Sequence, residues 1–352
     1  MRQTEAKPLK VISLFSGCGG LDLGFTNAGF KIVYANDFDK ATWETFEKNH
    51  HVTIDRRSIC DVQSDDIPNA IGIIGGPPCQ SWSLAGAMRG ALDVRGQLFY
   101  EYIRVINDKK PKFFLAENVP GLVSSAHILE FNKILSKFKE MGYDVSWKIL
   151  DARDYGVPQE RKRVIIVGYH DDLGMHFEFP SPTHQERGTV TLDGKKLPEW
   201  VTLKEAIGDL PDAKPAMEKN HANRSLPVAN HEYMTGGFST IYMSRNRLRD
   251  WDEQSYTIQA GGRHAPLYPS SAKMRKVEED WWEFVGKDPK YRRLSVREAA
   301  RIQTFPDTFV FYYDRIEDGY KMVGNAVPVK LAEAVAKKIK KDLLKISRKR
   351  KK

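Results

Sequence analysis

Gly75-Gly76-Pro77-Pro78-Cys79-Gln80 sets a thiol just past the end of a strand, where a nucleophile would stand. The apolar run Ala70-Ile71-Gly72-Ile73-Ile74 ahead of it reads as a buried parallel strand. Two glycines and two prolines then fix a loop at its carboxyl end, the edge where open α/β sheets bind ligands. The alternative is a structural cysteine, since a free thiol also packs as a small hydrophobe. Leu115-Ala116-Glu117-Asn118-Val119-Pro120 ends a second strand in an acid, and neighbouring strand ends can bring Glu117 to Cys79. Gln159-Glu160-Arg161-Lys162-Arg163 precedes the strand Val164-Ile165-Ile166-Val167-Gly168, which puts Arg161 and Arg163 at a sheet edge. Taken singly, Glu117 could cap a helix and the arginines could form surface ion pairs. Thiol, carboxylate and guanidinium in one set are harder to explain as three unrelated structural residues.

The elements that must position these groups follow a regular order. Residues 9–17 give a strand entering a glycine turn, a helix runs through Leu21, Leu23, Gly24 and Phe25, and the strand 31–36 ends at Asp37. A helix around Trp43–Asn49, the strand Ile71–Ile74, a helix near Leu98–Ile106 and the strand 112–116 come next. Such alternation indicates an α/β fold, a parallel doubly wound sheet of the Rossmann-like kind. Helix 129–141 and strands near 145–150 and 163–169 are expected to complete it. After about Phe179 the chain becomes rich in Pro, Gly, Asn, Ser, Thr and Arg, which reads as a second, smaller domain of loops and short strands. Helical periodicity resumes over Arg292–Gln303, and Val329–Lys345 reads as an amphipathic helix packing back on the first domain. The expected division is a discontinuous catalytic domain, 1–178 plus 314–352, around a recognition domain at 179–313.

Phe15-Ser16-Gly17-Cys18-Gly19-Gly20 follows a strand and opens a helix, so its backbone can approach a ligand closely. Asp37 ends the next strand, where a carboxylate can accept hydrogen bonds from ribose hydroxyls. No Gly-Lys-Ser/Thr follows the glycines, so a nucleoside cofactor without phosphates fits better than a nucleotide.

Composition narrows the setting. The 352 residues suffice for two domains, and no apolar run approaches the roughly 20 residues of a membrane span. The N-terminus lacks a signal-peptide core, so a cytoplasmic protein with no membrane partner is expected. Three cysteines, Cys18, Cys60 and Cys79, are too few for a disulfide framework, and no Cys/His cluster suggests a metal. A net charge of +9 and a pI near 9.2 favour a polyanionic partner. Part of that charge is the tail Ser347-Arg348-Lys349-Arg350-Lys351-Lys352, a solvated terminus or a targeting signal.

Phe15-Ser16-Gly17-x-Gly19-Gly20, Pro77-Pro78-Cys79-Gln80, Glu117-Asn118-Val119, Gln159-x-Arg161-x-Arg163 and Gly324-Asn325-Ala326-Val327-Pro328 occur in that order. The series resembles the DNA cytosine-C5 methyltransferase family across nearly the whole chain. His231–Pro269 further resembles bacterial modification enzymes that recognise GGCC. The resemblance implies a DNA (cytosine-5-)-methyltransferase of restriction–modification type, using S-adenosylmethionine and releasing S-adenosylhomocysteine, with no metal. Cys79 would add to cytosine C6, Glu117 would meet N3, and Arg163, helped by Arg161, would hold the O2 side. Phe15 would stack on the cofactor adenine and Asp37 would bind its ribose, with Ser16, Gly17, Gly19, Gly20, Phe38, Ile59, Pro77 and Leu98 also lining that site. Asn325 and Val327 would close its methionine end. The family usually reads Asp-Ile where this chain has Ser58-Ile59, so either Ser58 or Asp61 is left to meet the adenine amino group.

The resemblance also implies double-stranded DNA as partner, with the target base flipped out of the duplex. The polar loop from Gln80 to Gly96 would close over that base, Ser83, Arg89 and Arg95 touching the DNA. In the second domain Ile241, Arg245, Arg247 and Arg263 are the candidate base readers, arginine on guanine being the commonest specific major-groove contact. A monomer, paired in function with a cognate restriction endonuclease, is expected. An RNA cytosine methyltransferase, an exocyclic-amine methyltransferase and a non-catalytic DNA-binding regulator are the competing readings. The separate arginine-bearing domain opposes the first, and Cys79 opposes the second. The third must explain an intact Cys79, Glu117 and Arg163.

Overall fold

The computed structural model describes residues 8–78, 94–191, 193–288 and 290–349. By contacts the chain divides into two units, one of 1–150, 162–181 and 332–352, the other of 151–161 and 182–331. Residues 314–331, placed by the sequence with the catalytic domain, therefore group with the second unit.

The first unit is built on a seven-stranded sheet of order β3-β2-β1-β4-β5-β7-β6. Its strands are β1 (Leu9–Leu14), β2 (Phe30–Asn36), β3 (Ile54–Asp55), β4 (Gly72–Gly75), β5 (Phe113–Asn118), β6 (Tyr143–Asp151) and β7 (Lys162–His170). Helices α1 (Gly20–Asn27), α2 (Lys40–His50), α3 (Val94–Lys109) and α4 (Ile128–Glu140) connect them. Strands β4 and β5 are buried along their whole lengths, which is why their sequences are continuous apolar runs rather than alternating ones. Rings dominate the packing: Phe114 stacks on Phe138 of α4 at 4.2 Å, and Phe25 of α1 lies on Phe113.

The sheet is mixed, which corrects the expectation of an all-parallel one. Strands β1 to β5 pair in parallel, but β7 runs antiparallel to β5, with Glu117 opposite Ile165 and Asn118 opposite Val164. The reason is the short connection between β6 and β7, which carries only a 3₁₀ turn at Ala152–Tyr155. A parallel return needs a crossover of a dozen residues or more. The C-terminal helix α9 (Val329–Lys349) is longer than expected and closes this unit. There its Lys340 donates to Ala28 O, and its buried Asp342 accepts from Tyr169 and pairs with Lys338.

The second unit carries little regular structure, as its composition suggested. It holds α5 (Leu203–Ile207), β8 (Lys214–Pro215), β9 (Glu232–Tyr233), α6 (Thr240–Met243), the antiparallel hairpin β10 (Met274–Glu278) and β11 (Trp281–Phe284), α7 (Val296–Ile302) and α8 (Ile316–Asn325). Both α5 and α7 begin with a complete capping box, Thr202 with Glu205 and Ser295 with Glu298. Among the described residues no helix is long and apolar enough to cross a membrane.

Candidate active site

Strand order reverses between β1 and β4, so the loops leaving these neighbours diverge and open a crevice at the carboxyl edge. The loop after β1 is wound through left-handed backbone at Phe15 (φ 55°), Gly17 (φ 56°) and Gly19 (φ 91°). That conformation costs an aromatic residue roughly 1–3 kcal/mol, so Phe15 is held there by its surroundings. Ser16 Oγ donates to Asn36 O at 3.1 Å, and Gly17 N–H donates to Asp37 Oδ2 at 2.7 Å. The other Asp37 oxygen accepts from Asp39 N–H at 2.8 Å. One carboxylate thus ties the loops after β1 and β2 together. At Gly17 an added Cβ would meet nothing within 4 Å, whereas at Gly19 it would fall on the His50 ring. Phe38 lies exposed beside Asp37. These features fit a nucleoside cofactor: open space over a bare backbone, a carboxylate at the strand end and an available aromatic face.

Other residues expected to line the cofactor divide between lining and packing. Ser58 caps the 3₁₀ turn Ile59–Asp61 by accepting from Cys60 N–H, while Asp61 is exposed. Ile59 and Leu98 are buried in the main core cluster. Asn325 and Val327 belong to the second unit, the first exposed and the second buried.

At the end of β4, Gly75 sits so close to β1 that a Cβ would lie 2.5 Å from Leu14 O. Pro77 follows, buried, its carbonyl accepting from Asn118 Nδ2 at 2.8 Å. Asn118 therefore anchors the loop that leads to Cys79. Cys79, Ser83 and Arg89 lie outside the described residues, and Arg95 stands in the first turn of α3. Glu117 Oε1 pairs with Arg163 Nε at 2.9 Å, each side chain about 11% exposed. Its Oε2 faces Gly76, where a Cβ would come within 3.4 Å of it. Burial pulls the Arg163 guanidinium down and the Glu117 charge beside it pushes the other way, so the two ions hold one another in a dry place. The result is a fixed carboxylate and guanidinium over the backbone three residues before the thiol.

Arg161 is placed differently. It is 1% exposed, belongs to the second unit, and its guanidinium donates to Ile258 O and Gly324 O at 2.8 Å and to Ala326 O at 3.0 Å. Gln159 donates to Gln303 Oε1 and accepts from Ile258 N–H, and Gln303 donates to Val323 O and Ala326 O. Three buried side chains thus hold the turn Gly324-Asn325-Ala326. Sequence reasoning gave no role to Gln303 or Asn118. A glutamine within an apolar helical stripe and an asparagine ending a strand were the available signals.

Of the candidate DNA contacts, Ile241, Arg245 and Arg263 are exposed, whereas Arg247 is buried. Arg247 donates to Tyr242 O at 3.0 Å and Ile241 O at 3.2 Å, capping α6, and lies over the Tyr242 ring. Tyr242 in turn donates to Ala265 O, tying α6 to the turn Gly262–His264 that carries Arg263. Gly262 packs where a Cβ would strike Tyr320 and Met234. Burial and the charges of Arg247, Arg263 and Arg245 all pull His264 below its ordinary range, so these arginines share one neighbourhood.

A glycine loop after β1, an acid ending β2, a strand-order reversal at β1/β4 and an antiparallel β7 make this the Rossmann-like fold of S-adenosylmethionine-dependent methyltransferases. The chain belongs to the C-5 cytosine-specific DNA methylase family, whose model matches residues 9–341. It is 59% identical to the type II methyltransferase M.MthTI of Methanothermobacter thermautotrophicus, over 95% of this chain and 98% of that one. It is 52% identical to the type II methyltransferase M.FnuDI of Fusobacterium nucleatum, over 95% of each. Among solved structures, the Entamoeba histolytica methyltransferase EhMeth superposes with a TM-score of 0.65 at 17% identity, covering 96% of this chain and 99% of that one. The protein is a DNA cytosine-C5 methyltransferase of the restriction–modification type, and its family implies S-adenosylmethionine as methyl donor.

Proposed function

We propose that the protein methylates C5 of a flipped cytosine within a short duplex site, GGCC, through a covalent bond between Cys79 and C6. The observation that carries this reading is the buried Glu117–Arg163 pair above Gly76, at the root of the Cys79 loop. C5 of cytosine is a weak nucleophile, so a thiolate first adds at C6. Glu117 meets N3 and Arg163 the O2 side, which stabilises charge as the ring becomes an enamine. C5 then takes the methyl group that bound S-adenosylmethionine supplies, and loss of the C5 proton expels Cys79. In this reading Arg161 acts on the scaffold rather than on the ring, because its donors already serve three carbonyls.

The loop Phe15–Gly20 with Asp37 and Phe38 would hold the cofactor, and Ser58 or Asp61 its adenine. Pro77 would close around the rest. Catalysis falls to 1–178 plus 314–352, of which 314–331 group by contacts with the second unit, and 179–313 reads the DNA. There Ile241, Arg245 and Arg263 face the bases, Arg247 braces them, and Ser83, Arg89 and Arg95 meet the strand near the flipped nucleotide. The enzyme works as a monomer in the cytoplasm, protecting host DNA from a cognate endonuclease.

Bisulfite sequencing of plasmid DNA from a methylation-deficient host expressing the chain tests this, with Cys79→Ala alongside. Protected cytosines confined to GGCC and absent in the variant are expected. Protection in another context would overturn the site assignment, and protection surviving Cys79→Ala would overturn the covalent step.

A further inference from the structure

Behind the glycine loop lies a group of polar side chains that the reaction does not use. Asp22, in the first turn of α1, is fully buried, and among the described residues no cationic side chain pairs with it. Ser13 near the end of β1 is equally buried beside it, and its hydroxyl is the one side-chain group that eases the Asp22 charge. Cys18 and His50 complete the group, the His50 ring packed against Gly19. An ionised carboxylate in such a place is expensive unless a positive charge comes near.

We propose that Asp22 is a charge-sensing carboxyl behind the cofactor loop that favours the cationic methyl donor over its neutral-sulfur product. The proposal rests on the reading that Phe15–Gly20 holds S-adenosylmethionine. Donor and product share one skeleton and differ by the methyl group and the sulfonium charge. A positive charge seated in the loop acts on Asp22 through protein rather than water, where charges reach further. Donor binding then drives Asp22 toward its ionised form, whereas the product leaves its titration where it was. By reciprocity, whatever the cation does to the Asp22 proton, ionised Asp22 does to affinity for the cation.

The surroundings isolate this titration. Burial pushes Asp22 up to about 7, Ser13 and its own backbone N–H pull back, and the Asp37 charge adds to the rise. Burial pushes the Cys18 thiol up to about 12 and pulls His50 down to about 4. Of these three groups, only Asp22 changes charge between pH 6 and 8.

Calorimetric titration of the full DNA-free chain with S-adenosylmethionine and with S-adenosylhomocysteine, from pH 6 to 8 in two buffers of different ionisation enthalpy, provides the test. Donor affinity should rise about three- to tenfold across that range with proton release, a tenfold change corresponding to one pH unit of coupling. Product affinity should stay nearly flat. Asp22→Asn should flatten the donor profile and shift the donor-to-product preference at pH 8 toward product by the same factor. A flat wild-type profile, an unchanged slope in the variant, or equal effects on both ligands would overturn the proposal. Should Asp22→Asn not fold, carboxyl NMR of the wild type replaces it: a resonance titrating near neutrality must move down with donor and not with product. Wild-type protein that binds neither ligand would overturn the cofactor reading itself, a result distinct from binding without proton release.

Discussion

Replacing Arg161 with methionine separates scaffold from chemistry. The guanidinium makes three bonds to buried carbonyls, and methionine keeps much of the apolar stem while removing every donor. Ala326 O retains Gln303 Nε2 at 3.2 Å, so Ile258 O and Gly324 O suffer most. A buried acceptor deprived of its donor costs about 1–3 kcal/mol, which sums to roughly 2–6 kcal/mol for the two. That is a large share of the 5–15 kcal/mol by which domains of this kind are stable. Urea unfolding followed by tryptophan fluorescence should show the loss in the transition of the second unit, since two units need not unfold together. Arg163→Met should instead abolish methylation with a smaller effect on that transition, because Arg163 belongs to the first unit. If Arg161→Met unfolded within about 0.5 kcal/mol of wild type yet lost all activity, the guanidinium would be acting on the cytosine and the scaffold argument would fail.

Asp22 also predicts a stability profile. Its folded value of about 7 lies above the unfolded value of about 3.9, so folding binds a proton between them. The stability this group contributes is present below about pH 4 and is lost as pH rises through 7. Asp22→Asn should therefore gain on wild type as pH increases, by at most about 4 kcal/mol at pH 8. A difference in melting temperature independent of pH would refute this. In the second unit, Arg245→Ala or Arg263→Ala should relax discrimination among one-base variants of GGCC while cofactor binding and melting temperature hold. Arg247→Met, which strips the cap from α6, should instead lower stability by about 1–3 kcal/mol. Methylation of a panel of site variants and thermal unfolding separate the two, and equal stability loss in Arg245→Ala and Arg247→Met would count against the division of roles.

The first unit was legible because its signals are local. The apolar runs of β4 and β5, the glycine turn after β1 and the acid after β2 each follow from burial or backbone freedom at their own positions. The second unit was legible only as a departure from that pattern, since its short elements are fixed by sequence-distant side chains such as Arg161, Tyr242 and Gln303. Spacing misled at one point. Gln159-x-Arg161-x-Arg163 has the period of one strand face, and the two arginines read as a pair at the sheet edge. The strand begins only at Lys162, so Arg163 alone points into the sheet's site, and Gln159 and Arg161 lie in the preceding turn on carbonyls of the second unit.

The antiparallel β7 is what lets that reading of the site work at all. Glu117 stands near the end of β5 and Arg163 near the start of β7. In an all-parallel sheet the start of one strand and the end of its neighbour lie at opposite edges, and β5 alone spans roughly 20 Å at about 3.3 Å per residue. No arginine side chain crosses that distance. A parallel sheet and a Glu117–Arg163 pair therefore exclude one another, and a chain that needs both groups on one ring must reverse a strand between them. The short 152–161 connection supplies the reversal, and it sets Glu117 opposite Ile165 with Arg163 two residues away along β7. The topology is thus a condition of the chemistry: inserting a crossover helix between β6 and β7 would leave every motif residue in place in the sequence and still dismantle the ion pair.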